Sequence, residues 1–154
     1  MVRAFFPLIC LGLVLADSAA GASDIAVVAH PSVPIDSLSF AEIRKILLGD
    51  RQFWASNLKV TLLIRAPAAR EREVILKNVY QMSEAQFRQY WIGKVFRAES
   101  ASAPRVVYSG EEAIQLATSI PGALTFLDAG SIPKSLKVIK IEGLSPGQAG
   151  YRLR

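Results

Sequence analysis

The sequence predicts an α/β domain in which helices flank a mixed β-sheet. Short apolar runs rich in branched residues alternate along the chain with segments of helical periodicity. Three serines each precede a Glu or Gln by three residues, which is the capping-box pattern that begins a helix. Hydrophobic residues make up 51% of the 154-residue chain. This composition is sufficient for one buried core.

The first strand and helix are predicted between residues 25 and 49. Ile25–Ala29 is a continuous apolar run, which indicates a buried strand. Ser39 and Glu42 form a capping box, and Gly49 stands where a helix end favours a left-handed residue. Two aromatic residues of the following loop are expected to pack on the core: Phe53 and Trp54.

The centre of the chain predicts a strand followed by two helices. Val60–Ile64 is rich in branched residues and is bounded by Pro67, and helical spacing begins near Ala69. Ser83 and Gln86 form the capping box of the second helix. Its spacing predicts one buried stripe of four side chains: Phe87, Tyr90, Trp91 and Val95.

A loop, a strand and a helix are predicted next. Arg97–Pro104 is small and polar, as is typical of a loop, and Arg105–Tyr108 follows as a short strand. Ser109 and Glu112 form the third capping box, which opens a helix to about Ser119.

The last elements are a turn and two strands. Pro121 and Gly122 predict the turn, and Ala123–Leu127 the strand that follows it. Leu136–Ile141 alternates apolar residues with lysine, which indicates a strand near a sheet edge. We also expect a few backbone hydrogen bonds from Tyr151–Arg154.

Residues 1–22 have the pattern of a secretory signal peptide. Arg3 precedes the apolar run Ala4–Ala16, and the small residues Ala20–Ala22 form an Ala-x-Ala cleavage site. The apolar run is shorter than the roughly 20 residues that span a bilayer. We therefore expect an exported, periplasmic domain at residues 23–154. The single cysteine, Cys10, lies in the leader, so disulfides and thiol catalysis are not expected.

The composition and motifs indicate a binding protein rather than an enzyme. The net charge of +5 suits anionic partners, but the expected export argues against nucleic acid. The chain contains neither a Gly-x-Ser-x-Gly elbow nor a phosphate-binding glycine loop, and it has one histidine, His30. Ser131 and Lys134 have Ser-x-x-Lys spacing, but Pro133 disfavours the helix that this chemistry requires. We expect no catalysis, metal or cofactor.

Three arginines lie around the predicted strand-to-helix loop: Arg65, Arg70 and Arg72. Arginine presents a planar fork of donors that suits oxyanions, and a helix N-terminus adds partial positive charge. Glu71 and Glu73 interleave with these arginines and offer the alternative that the charges are neutralised within the chain. The arginines are therefore candidate ligand-binding residues for a small anion.

The order of three segments resembles the phosphate-binding component of ABC transporters, and more closely its small, single-domain exported relatives. These segments are LSFAEIRKILLGDRQFW, REREVILKNVYQMSEAQFRQYWIGKVF and SIPGALTFL. Gly49 followed by a loop with Trp54 is similar to the family's Gly-Lys…Trp segment. Pro121–Leu124 is similar to its Pro-Gly-Ala turn into a strand.

This resemblance implies one lobe of a type II periplasmic-binding-protein-like fold. In full-size relatives two lobes close over phosphate, which backbone amides, hydroxyls and an arginine hold. Arg65 matches that arginine, whereas Ala68–Glu71 replaces the glycines and hydroxyl residues that follow it. Arg72 and Glu73 match an Arg-Glu pair of the small relatives.

Two hypotheses about function follow. The first is an exported solute-binding domain that binds phosphate or another small oxyanion through Arg65, Arg70 or Arg72, in connection with phosphate ABC-type transport or sensing. The alternative is an interaction module without a small ligand. Such a module docks on a membrane sensor, porin or transporter, or forms a homodimer.

Overall fold

The structure, a computed structural model, describes residues 23–154, so the predicted signal peptide lies outside the described residues. The strands are β1 Ile25–Ala29, β2 Ser37–Leu38, β3 Thr61–Arg65, β4 Arg105–Val107, β5 Ala123–Asp128 and β6 Lys137–Ile141. The α-helices are α1 Phe40–Leu47, α2 Arg70–Ile75, α3 Glu84–Phe96 and α4 Gly110–Ser119. Within residues 23–154, none of the helices has the length and apolarity needed to cross a membrane.

The six strands form one mixed sheet in the order β2-β6-β1-β5-β3-β4. β1 pairs antiparallel with β5 and with β6, while β3 pairs parallel with both β5 and β4. The parallel strands β4, β3 and β5 therefore end on one side of the sheet, which we call the carboxyl edge. They begin on the opposite side, which we call the amino edge.

Both faces of the sheet are covered, which confirms the α/β prediction. Ile25, Val27 and Ala29 of β1 point into a large core with α1, α2 and α3. Ala26 and Val28 point into a smaller core against α4. Because β1 is buried on both faces, its sequence is apolar without alternation.

The capping predictions are confirmed for two helices and altered for the third. Ser39 caps α1 and Ser83 caps α3, each with the reciprocal bond from its own N–H to the side chain three residues later. The Ser109 hydroxyl caps α4, but the carboxylate of Glu112 accepts from the N–H of Tyr108 rather than of Ser109. The backbone at Ser109 is more extended, with φ −144° and ψ 163°, than at Ser39 and Ser83, where φ is −68° and −73°.

Two burial predictions were wrong, and three short elements were not predicted: β2, a π-helix after α2 and a 3-10 helix at Ala129–Ser131. Trp54 is buried, but Phe53 is 51% exposed. Phe53 forms an isolated antiparallel bridge with Lys59, and in an extended segment neighbouring side chains point to opposite faces. Val95 is 38% exposed, and the buried position beside it belongs to Lys94, which forms an ion pair with Asp50. The chain continues directly from the end of α2 into a π-helix at Leu76–Tyr80.

The tight turn before β5 generates a test of the packing. Gly122 has φ +79°, and a Cβ at this position would lie 2.2 Å from the carbonyl oxygen of Lys59. Gly143 has a similar φ of +73° with open space around it. We expect Gly143→Ala to cost about 1–2 kcal/mol from backbone strain alone. Gly122→Ala should cost at least about 1 kcal/mol more because the backbone must shift.

Urea unfolding of both variants measures this difference directly. Equal losses of unfolding free energy in the two variants would contradict the close approach of Gly122 to Lys59.

Candidate functional site

The candidate site lies at the carboxyl edge of the sheet. β3 ends at Arg65, β4 at Val107 and β5 at Asp128. The chain then enters α2 at Arg70 and α4 at Gly110, so two helix N-termini meet the same edge. Free backbone N–H groups and the helix dipoles make such an edge favourable for negative charge.

Arg65 stands between the two helix N-termini. Its Nη1 donates to Oε1 of Glu71 at 2.9 Å, and both side chains are largely buried. A Cβ on Gly110 would lie 3.9 Å from the same Nη1, which places the guanidinium beside the first residue of α4. Its Nε is buried and has no hydrogen-bond acceptor among residues 23–154. Arg65 therefore combines an ion pair to an internal carboxylate with a buried Nε that has no acceptor in the described chain.

Arg70 approaches the end of β5 without a hydrogen bond. Its Nη1 lies 3.6 Å from Oδ2 of Asp128, and within the described chain that buried nitrogen has no hydrogen-bond acceptor. Asp128 is held by the Ser23 hydroxyl and by the N–H of Gly130. These two hydrogen bonds, and to a smaller degree the charge of Arg70, keep the pKa of Asp128 below its ordinary value.

Arg72 is the most enclosed of the three candidate arginines, with 4% of its surface exposed. Its Nε and Nη2 donate to the two carboxylate oxygens of Glu84 at 2.7 and 2.8 Å. Its Nη1 donates to the backbone oxygen of Arg65 at 3.0 Å, and the guanidinium lies 4.8 Å from the ring centre of Phe87. Arg72 thus fixes the end of β3 against α3.

The loop between β3 and α2 keeps a glycine-like conformation without a glycine. Ala68 has φ +72°, a left-handed value that glycine adopts without strain. This is the position where the full-size family, by the resemblance above, has its first glycine. Ala69 precedes α2 and has no side-chain acceptor for the helix N–H groups. The first N–H groups of α2 therefore have no side-chain cap at the carboxyl edge. Glu71, in the first turn of α2, adds a negative charge there.

Metal-binding clusters and the single histidine were the other candidates for chemistry. Among the residues that the structure describes, no group of three or more His, Cys, Asp or Glu side chains has the proximity that holds a metal ion. His30 lies at the end of β1, and its Nδ1 contacts the hydroxyl and N–H of Ser32. It belongs to a turn rather than to the carboxyl edge.

Solved structures share this arrangement of strands and helices. A phosphate transport receptor from Vibrio cholerae superposes with a TM-score of 0.65 at 20% identity. A phosphate ABC transporter substrate-binding protein with bound phosphate, from Clostridium perfringens, gives 0.65 at 14%, and PstS from Borrelia burgdorferi gives 0.67 at 19%. The chain has the fold of phosphate-binding proteins of ABC transporters. Neither a family model nor a curated protein matches.

The likeness extends over one part of each phosphate-binding protein. The matches cover 80%, 80% and 85% of this chain but 48%, 46% and 54% of the three solved structures. The chain therefore spans about half their length and forms a single lobe-like domain. The first is named as a transport receptor and the second as a substrate-binding protein.

Sequence reasoning found the three arginines and the nearby Glu71, but not two of the partners that define the site. Asp128 lies in β5, and Glu84 lies in the first turn of α3. Both are brought to α2 by the packing of the phosphate-binding-protein fold. There was one local indication in the sequence, because Glu84 directly follows the helix cap at Ser83. An acid at this position is favoured by the helix dipole even without an arginine partner, so it did not predict the ion pair.

The ion pair between Arg72 and Glu84 should stabilise the fold in a pH-dependent way. The hydrogen bond from Arg72 holds the pKa of Glu84 below its ordinary value of 4.5. This stabilisation is therefore present above about pH 4.5 and is lost as the pH falls through the lower folded-state pKa. Glu84→Gln should reduce the unfolding free energy at pH 7 by about 1–2 kcal/mol, since Glu84 is partly exposed.

Denaturant unfolding of wild type and variant between pH 7 and pH 3 measures the effect, and the difference between them should narrow below pH 4.5. Glu99→Gln is the matched control, because the Arg97–Glu99 pair is about half exposed. A loss in Glu84→Gln no larger than in this control would show that the pair does not support the fold.

Proposed function

We propose that this chain is an exported, periplasmic domain that binds phosphate or a similar small oxyanion, in connection with phosphate ABC-type transport or sensing. The observation that supports this most directly is the position of Arg65. Its guanidinium lies beside two helix N-termini at the carboxyl edge of a phosphate-binding-protein fold, and its Nε is buried without an acceptor. Binding is the proposed activity, and no catalytic step is part of it.

Glu71 determines how the oxyanion enters. A carboxylate and a phosphate offer arginine the same kind of paired oxygen acceptors. The Glu71 carboxylate therefore occupies one side of Arg65 as an internal substitute for the anion. An incoming oxyanion must therefore displace the Glu71 carboxylate or reach the buried Nε of Arg65. In both cases the negative charge of Glu71 repels the oxyanion. We expect an affinity limited by this competition.

The three arginines have different parts in this proposal. Arg65 is the direct anion partner, and Arg70 is a second one because its buried Nη1 has no hydrogen bond. Arg72 donates to Glu84 and to the backbone of Arg65, so it positions Arg65 rather than contacting the ligand. A second copy of the chain or a membrane protein would cover the open side of the single lobe.

Thermal unfolding with phosphate, sulfate and chloride at matched ionic strength tests the proposal. A ligand at about 100 times its dissociation constant adds roughly 2.7 kcal/mol of stability. For a domain of this size the midpoint should rise by about 5 °C. We expect a phosphate-selective rise that is larger in Glu71→Gln than in wild type, because the internal competitor loses its charge.

Arg65→Lys should abolish the phosphate-selective rise, since lysine keeps the charge but loses the planar fork. Arg97→Lys is the matched control, because Arg97 lies on an exposed ion pair away from the carboxyl edge. Equal responses to phosphate in the Arg65 and Arg97 variants would remove Arg65 from the binding site. A flat response in both wild type and Glu71→Gln would remove small-anion binding from this edge.

A second candidate function is an interaction module, and one surface favours it. Ile92 is 62% exposed and Phe96 90% exposed, and they lie one helical turn apart on α3. Tyr108, at the end of the edge strand β4, is 75% exposed. Large exposed apolar side chains at helix spacing are typical of a protein contact. Concentration-dependent dimerisation that Phe96→Ser abolishes, without any phosphate response, would favour this function over the first.

A further inference from the structure

A cavity of about 130 Å³ opens at the amino edge of the sheet, at the opposite end of β3 from Arg65. The first residues of β3 and β4, together with the loops before them, form its walls. β3 has five residues, so the cavity and the carboxyl edge are separated by roughly 15 Å. An engineered cavity of similar size, about 150 Å³, holds a benzene molecule. The space is therefore adequate for a small organic molecule.

Three cations and no carboxylate residue line the cavity: Arg51, Lys59 and Arg105. Among residues 23–154, none of the three forms an ion pair. The two neighbouring cations are different, because Lys94 pairs with Asp50 at 2.6 Å and Arg97 pairs with Glu99 at 2.8 Å. The cavity lining therefore contains three cations that have no ion pair with an acid of the described chain.

Glu42 lies outside the cavity lining, and the charge of Arg51 acts on its pKa. Hydrogen bonds from Ser39 are the main reason that the pKa of Glu42 is lowered, and the charge of Arg51 contributes less. The carboxylate accepts from the N–H of Ser39 in the α1 cap. The Glu42 carboxylate therefore holds the start of α1 and is not part of the cavity wall.

Hydrogen bonds hold the walls in place. Gln52 donates from Nε2 to the backbone oxygens of Gly49 and Glu99, which joins the loop after α1 to the loop before β4. The guanidinium of Arg51 lies 5.7 Å from the ring centre of Trp54, and its Nε contacts the oxygen of Phe53 at 3.4 Å. Both Nη groups of Arg51 remain without an acceptor in the described chain.

The lining contains apolar as well as charged residues. Thr61, Ser100 and Ser102 add hydroxyl groups, whereas Ile46, Val60 and Trp91 contribute buried apolar side chains, which we call the apolar floor. Three cations and hydroxyls suit a group with two negative charges, and a purely inorganic anion would leave the floor uncovered. We propose that this cavity binds a small phosphate monoester, with its phosphate group at Arg51, Lys59 and Arg105 and its organic part on Trp91.

This inference is independent of the anion site proposed at Arg65. The two sites lie at opposite ends of β3 and share no residue. Either one can therefore fail in an experiment without the other.

Two-dimensional NMR of the purified protein with phenyl phosphate tests the proposal. The chain has two tryptophans, Trp91 in the cavity lining and Trp54 outside it beside Arg51. The Trp91 indole signal therefore reports on the organic part of the ligand, and the Trp54 signal on a phosphate at Arg51. We expect phenyl phosphate to shift the Trp91 signal more than the Trp54 signal. It should also bind more tightly than inorganic phosphate or phenol at matched ionic strength, because each of these has only one half of the recognised chemistry.

The variant Lys59→Gln/Arg105→Gln should weaken phenyl phosphate binding by about tenfold or more, since it removes two charge-assisted donors. Lys134→Gln/Lys140→Gln removes the same charge from exposed positions outside the lining and should leave the affinity unchanged. Both variants change surface side chains, and their thermal midpoints verify that they fold.

Three results would overturn the proposal. The first is equal affinity in the two double variants, which would indicate attraction to net charge alone. The second is the absence of a selective Trp91 shift, which would leave the cavity without this ligand. The third is loss of phenyl phosphate binding in Arg65→Lys, which would place the ligand at the carboxyl edge. Retained binding in that variant supports the cavity whatever the phosphate response at Arg65.

Discussion

The structure of the carboxyl edge depends on the ion pair between Arg72 and Glu84. Through this pair one buried guanidinium joins three parts of the chain: the backbone end of β3, the helix α2 that carries Arg72, and the first turn of α3. The ring of Phe87 covers the guanidinium and limits access of water. Charges held in this way are costly to separate, because one partner alone would stay buried without compensation. The position of the Arg65 backbone is therefore held by the same guanidinium that forms the ion pair.

Charge compensation continues outward from this pair. Arg65 is joined to Glu71, and Arg70 lies near Asp128, so each arginine of the edge has an acid from its own chain. The fold is that of phosphate-binding proteins, but here the chain supplies its own negative groups at the strand ends. The compensation is incomplete, because buried nitrogens of Arg65 and Arg70 have no acceptor among the described residues. In the proposed function, an external oxyanion would bind to these donors in competition with the internal acids.

The parts of this architecture that arise from neighbouring residues were predictable from the sequence. The caps at Ser39 and Ser83 and the buried strand Ile25–Ala29 depend on local hydrogen bonding or on a continuous apolar run. Contacts between distant elements were not predictable. The pairing of Arg72 with Glu84 and the outward position of Phe53 follow from how helices and loops pack. The list of candidate arginines therefore did not reveal that Arg72 is enclosed by an ion pair that supports the fold.

The two edges of the parallel strands distribute charge in opposite ways, and this affects how anion binding must be interpreted. At the carboxyl edge the arginines have internal partners, whereas at the amino edge Arg51, Lys59 and Arg105 line a cavity that contains no acid. Electrostatic attraction falls off within about 10 Å at ordinary ionic strength, so each edge acts on anions largely by itself. The net charge of +5 consequently does not identify a site. An anion is assigned to one edge only when substitutions of side chains at that edge change its binding and substitutions at the other edge do not.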